Sequence, residues 1–89
     1  MVAVEFAPAI HRHVICVRQQ VEAATVREAL DAVFAQQSAV RAYVLDDQGA
    51  LRKHVALFVD GEQVRDRQQL SDPLRGDAEI YIVQALSGG

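Results

Sequence analysis

Val2, Val4 and Phe6 alternate with Ala3 and Glu5, the period-two pattern of a strand with one buried face. Ala7-Pro8-Ala9 ends the pattern, because proline fixes φ and offers no amide donor. His13 to Val17 carries Val14, Ile15 and Val17. It predicts a second strand running on toward Val21 and, with the first, an opening hairpin. From Thr25 the period changes. Val26, Ala29, Leu30, Val33 and Phe34 fall at i, i+3, i+4, i+7 and i+8, one apolar helical stripe with Arg27, Glu28, Asp31 and Gln36 facing away. Thr25 followed three residues later by Glu28 has the spacing of a capping box.

Ser38 to Leu45 is ambiguous: Val40, Tyr43 and Val44 have the spacing of a short second helix. Asp46-Asp47-Gln48-Gly49 is turn chemistry. His54 to Val59 predicts a strand, and Asp60-Gly61 before Glu62-Gln63-Val64 is a hairpin signal. Ser71-Asp72-Pro73-Leu74 and Arg75-Gly76-Asp77 are turns, and Glu79 to Ala85 is a last strand. The order is strand, strand, helix, strand, short strand, strand. That predicts an α+β domain, a mixed sheet with one main helix across one face. The helix between the second and third strands supplies the crossover that parallel pairing needs. The arrangement is compatible with a β-grasp (ubiquitin-like) fold over residues 1–85, with 86–89 as a flexible tail.

Eighty-nine residues suffice for one domain, and 51% hydrophobic content argues against disorder. A formal net charge of −3 disfavours sequence-independent binding to nucleic acid. The single cysteine, Cys16, cannot form an internal disulfide. The first residues show no signal-peptide pattern, and no run has the length of a membrane span. The expectation is a soluble, cytoplasmic monomer.

The remaining candidate chemistry lies at the end of the chain, Leu86-Ser87-Gly88-Gly89. At ~7% glycine usage, a terminal Gly-Gly arises by chance roughly once in two hundred chains, so alone it says little. Its position directly after a final strand changes that. A glycine end has no Cβ to obstruct a narrow channel, and its α-carboxylate, with a reference pKa near ~3.5, is ionised and nucleophilic at neutral pH.

Several segments resemble one family. Val64-Arg65-Asp66-Arg67-Gln68-Gln69-Leu70-Ser71-Asp72-Pro73-Leu74, Gly76-Asp77-Ala78-Glu79-Ile80 and Gln84-Ala85-Leu86-Ser87-Gly88-Gly89 are similar to the bacterial ubiquitin-like sulfur carriers. So are the helix start Thr25 to Leu30 and the segment Leu51 to Gly61. That family includes the small subunit of molybdopterin synthase and the thiamine- and cysteine-pathway carriers. The resemblance covers most of the chain except the loop Pro8 to His11.

The resemblance implies a carrier without catalytic residues or a cofactor of its own. A ubiquitin-activating-type adenylyltransferase, using ATP and Mg, would adenylate the carboxylate of Gly89. A cysteine desulfurase or rhodanese-like donor would supply sulfur, leaving a thiocarboxylate on Gly89, and a downstream synthase would accept it. Ser87 and Gly88 would complete the inserted tail. Two alternatives stand beside this: a modifier joined to lysines through Gly89, and a non-covalent β-grasp module with an inert tail.

Strand periodicity also predicts a docking face. Ile80 and Ile82 should face the helix, with Val55, Leu57 and Val59. Tyr81, Val83 and Phe58 should share the helix-free face and form an apolar patch for partners. In its distance from the terminus, Val83 resembles a contact position of ubiquitin-like proteins. Other candidates are weaker. His11 and His13 lack the further ligands of a metal site, and His54 reads as structural or exposed. Cys16 reads as a small buried hydrophobe, with a redox or persulfide role as the minor alternative. Arg52, Lys53, Arg65, Arg67 and Arg75 are expected on one solvated side, and Asp46-Asp47 reads as a turn rather than a catalytic pair.

Overall fold

A computed structural model of the chain describes residues 1–84. The strands are β1 (Val2–Phe6), β2 (Gln19–Val21), β3 (Val55–Val59), β4 (Glu62–Gln63) and β5 (Glu79–Gln84), and the helices are α1 (Val26–Gln36) and α2 (Ser38–Val44). The five strands form one mixed sheet in the order β2-β1-β5-β3-β4. The last strand is inserted between the first and third, parallel to β1 and antiparallel to β3. The helical crossover therefore does not join neighbouring parallel strands, as the strand order had suggested. It carries the chain from β2 at one side of the sheet to β3, with β1 and β5 lying between.

The helix stripe behaves as its period requires: Val26, Ala29, Leu30, Val33 and Phe34 are buried against the inner side chains of the sheet. Thr25 caps α1, its Oγ1 accepting the Glu28 amide at 3.2 Å. The Glu28 carboxylate reaches back one residue further than the usual box and accepts from the Ala24 amide at 2.9 Å. The next free amides at the helix start are taken by a distant loop: Val26 N donates to Asp72 O and Arg27 N to Leu70 O. Leu70 holds this loop in place. It is fully buried although its φ is +58°, a conformation costing roughly 1–2 kcal/mol for a residue with a Cβ. Burial of the leucine side chain, about 1.5–3 kcal/mol, offsets that strain.

The segment from His13 to Val17 corrects the sequence reading. It is not a strand. Residues Ile10–Arg12 form a 3-10 turn, and pairing with β1 begins only at Gln19. The cause is a competing partner for the backbone. The side-chain amide of Gln37, between α1 and α2, accepts from Val17 N at 2.9 Å and donates to Val17 O at 3.0 Å. Val17 is thereby satisfied away from the sheet, while Ala7 N turns to Ile82 O. The alternation survives as packing: Cys16 is buried, whereas Ile15 and Val17 are 90% and 60% exposed.

The two turn motifs form as their residues predict. Asp46 Oδ1 accepts from the amides of Gln48 and Ala50 at 2.8 and 3.0 Å. At the hairpin, Asp60 and Gly61 have φ of +51° and +86°, the two positive values of a type I′ turn. Ser38–Val44 is helical, burying Val40 and Val44.

Candidate functional site

The reactive end inferred from the sequence, Ser87, Gly88 and Gly89, lies outside the described residues, as does Ala85. The strand that leads to it is well anchored. Gln84 pairs with Val55 of β3, and its Oε1 accepts a hydrogen bond from the Tyr43 hydroxyl of α2 at 2.8 Å. On either side of β5, β1 and β3 fix its backbone through parallel and antiparallel ladders. The chain therefore leaves the domain from a central strand rather than from an edge.

The two faces of β5 divide as its alternation predicts. Ile80 and Ile82 are buried toward the helices with Val55 and Leu57, while Val59 is half-buried against the same core. On the opposite face, Tyr81 lies directly across from Phe58, and Val83 across from Ala56. Tyr81 is 39% exposed, and Phe58 and Val83 are half-buried. The three residues named from periodicity are thus brought together by one register, and Ala56 joins them. Alternation alone puts Ala56 on the face of Phe58, but its place across from Val83 is set by cross-strand pairing and not by local pattern. Polar residues flank the group: Gln63 opposite Phe58 on β4, and Glu5 beside Tyr81 on β1. Glu5 is within 3.7 Å of Arg18 Nε, an exposed pair that contributes little.

The weaker candidates find other roles. His11 Nδ1 lies 3.6 Å from Cys16 Sγ, and His13 stacks on Tyr43. No group of three or more metal-ligating side chains occurs among the described residues. Burial pushes the Cys16 thiol above its usual range, which disfavours the nucleophilic thiolate. The basic residues are spread over several shallow depressions of the surface. Arg65 and Arg75 line one depression, Lys53 and Arg67 another, and Arg52 a third. Arg67 is also structural, donating to the carbonyls of Arg52 and Val55 at 2.9 and 2.8 Å.

One acid stands out. The Asp66 carboxyl is held down at about 2, first by the Ser71 hydroxyl and then by the Gln69 amide, with the Ser71 and Gln68 amides adding to the effect. Asp72 next to it accepts from the Arg65 and Asp66 amides, both at 2.9 Å. These carboxylates tie the β4–β5 connection to itself and serve shape, not chemistry.

Residues 14–89 match the ThiS family. The chain belongs to the ThiS family. It is thereby placed among the ubiquitin-like sulfur carriers and modifiers, and its α+β fold is the β-grasp of that group. SAMP1 from Haloferax volcanii is 25% identical with a TM-score of 0.76, the alignment covering 99% of this chain and 98% of that one. A chain of the BexX/CysO complex from Amycolatopsis orientalis gives a TM-score of 0.82 at 22% identity over the full length of both. Small archaeal modifier protein 1 from Methanosarcina acetivorans gives 0.78 at 18% identity, covering 99% and 95%. No curated protein matches the chain by sequence. As a ThiS-family chain it has, among its described residues, no helix long and apolar enough to cross a membrane.

Proposed function

We propose that this protein is a sulfur carrier whose working group is the C-terminal carboxylate of Gly89. One observation carries the reading: the ThiS-family match runs through residue 89 and so includes the Gly88-Gly89 end. In the proposed cycle a carboxylate oxygen of Gly89 attacks the α-phosphorus of ATP on an adenylyltransferase. Pyrophosphate leaves and an acyl adenylate forms. The terminal sulfur of a persulfide on a desulfurase or rhodanese-like donor attacks the carbonyl, AMP leaves and an acyl disulfide forms. A second thiol then cleaves the S–S bond, forming a disulfide with the donor sulfur and releasing a thiocarboxylate on Gly89. A downstream synthase then removes the sulfur. ATP and Mg belong to the activating partner, and the carrier contributes position and a narrow end. Phe58, Tyr81 and Val83, with Ala56, form the face on which these partners dock. A related chain found in a complex in Amycolatopsis orientalis supports partner docking of this kind.

The test is an intact mass after incubation with the cognate adenylyltransferase, ATP, Mg and a sulfur donor. Replacement of one C-terminal oxygen by sulfur is expected. An unchanged mass, together with unimpaired function after deletion of Gly88 and Gly89, refutes the proposal and favours the non-covalent module.

Similarity to a small archaeal modifier protein at 25% identity supports a second reading. A lysine amine would then take the activated Gly89 carbonyl in place of sulfur, and lysine-linked species of higher mass would accumulate in cells.

A further inference from the structure

Beside the end of β5, His13, Ala42, Tyr43, Arg52, His54 and Gln84 surround an open pocket of about 290 Å³. Its walls come from four separate parts of the chain and are locked to one another. The His13 ring stacks on Tyr43, with centroids 5.5 Å apart and planes 21° apart. The Tyr43 hydroxyl is committed to Gln84. Arg52 Nε donates to Ala42 O at 2.7 Å, which orients the guanidinium while occupying only one of its five N–H groups. The lining contains no Asp or Glu, and among the described residues Arg52 forms no ion pair. On a chain with net charge −3, this is a locally cationic recess of one guanidinium and two imidazoles.

We infer that this pocket receives an Asp or Glu side chain of the protein that takes hold of the C-terminal end. The chemistry follows from the lining: an oriented guanidinium fork with imidazole donors beside it matches a carboxylate. The location rests on the carrier reading above. Five residues follow Gln84, a span of at most ~18 Å, so any protein that draws Gly89 into its active site must close around this point. A phosphate is a poorer match. The recess has no glycine loop or nest of backbone amides to cradle one, and a phosphoryl group on Gly89 would lie in the partner's own site. Opposite charges placed here set docking orientation and encounter rate.

The experiment uses the full chain with the adenylyltransferase of the mass assay. His54→Glu and Arg52→Glu should each raise the KM for the carrier about tenfold with kcat unchanged, the size expected for losing a charged hydrogen bond at an interface. Arg75→Glu, exposed in the loop that precedes β5 and so away from Gln84 at the strand's other end, should leave KM unaltered. Circular dichroism checks that each variant is folded, and His54→Glu carries the result if loss of the Arg52–Ala42 bond unfolds the other. An unchanged KM in folded His54→Glu overturns the inference. Failure of the wild-type chain to be adenylated refutes the carrier reading instead. The pocket is then judged by amide shifts of the 15N-labelled chain on titration with acetyl-hexaglutamate. Shifts centred on Tyr43, Arg52, His54 and Gln84, absent with hexaglutamine, support it. Shifts elsewhere, or a response to inorganic phosphate alone, overturn it.

Discussion

Val83 and Ile82 are adjacent on β5, yet the same substitution should have opposite consequences in them. Ile82 is fully buried against the helices. Ile82→Asp removes a core side chain, worth about 2–5 kcal/mol, and places a carboxyl group where no partner exists, at about 2–7 kcal/mol more. A domain of 89 residues has a total stability of about 4–13 kcal/mol, so this variant should be largely unfolded. Val83 lies on the other face, half-buried opposite Ala56. Val83→Asp gives up strand propensity and a little packing, about 1 kcal/mol, and the domain should stay folded. Its effect should appear on docking. A carboxylate pressed into an apolar contact loses solvation worth about 1–3 kcal/mol, which raises KM or Kd for the adenylyltransferase roughly tenfold to a hundredfold. Urea titration gives the stabilities, and pyrophosphate exchange with ATP gives KM and kcat. An unaltered KM in Val83→Asp refutes the docking face. An unfolded Val83→Asp, or a folded Ile82→Asp, refutes the face assignment itself.

Three further outcomes are expected. The carboxyl of Asp66 is lowered from 3.8 to about 2 by its hydrogen bonds, so the native state binds fewer protons than the unfolded chain in that range. The stability it contributes is present above about pH 4 and lost as pH falls through about 2. Asp66→Asn should flatten the urea-midpoint profile between those values, and an unchanged acid limb refutes the assignment. Arg27 Nη2 donates to Gly49 O at 2.7 Å and Gln68 O at 3.3 Å, and Nε to Gln69 O at 3.2 Å, stapling α1 to two loops. Arg27→Ala should cost about 1–2 kcal/mol, discounted for partial exposure, and lower the thermal midpoint by roughly 5–10 °C. Arg27→Lys should recover only part of this, since an ammonium does not reproduce the fork; full recovery or no loss refutes the staple. Cys16 is buried with its thiol pushed up, so thiol reagents should label it at least about tenfold faster in denaturant than in the native state. Equal rates would show that the thiol is accessible.

Much of this architecture was legible in local pattern. The α1 stripe and its Thr25 cap, the β1 alternation and the Asp60-Gly61 turn each depend on residues a few positions apart. The same holds for the inward Ile80 and Ile82 against the outward Tyr81 and Val83. The His13–Val17 strand failed for a non-local reason: Gln37, twenty residues away, supplies the hydrogen bonds that a neighbouring strand would have given Val17. Arg67 likewise owes its place to a non-local pairing, its guanidinium donating to the carbonyls of Arg52 and Val55.

By itself the sequence determined the apolar stripe and start of α1, the inward and outward faces of β5, and that a glycine end follows the last strand. Those properties follow from periodicities of 3.6 and 2 and from the conformational range of glycine. Only the tertiary structure decided that the last strand lies at the centre of the sheet, parallel to the first, with Phe58 across from Tyr81 and Ala56 across from Val83. It alone gathered His13, Arg52 and His54 beside Gln84. Strand order and register are settled by which backbone groups and core side chains find partners across long stretches of chain, and no local pattern encodes that choice.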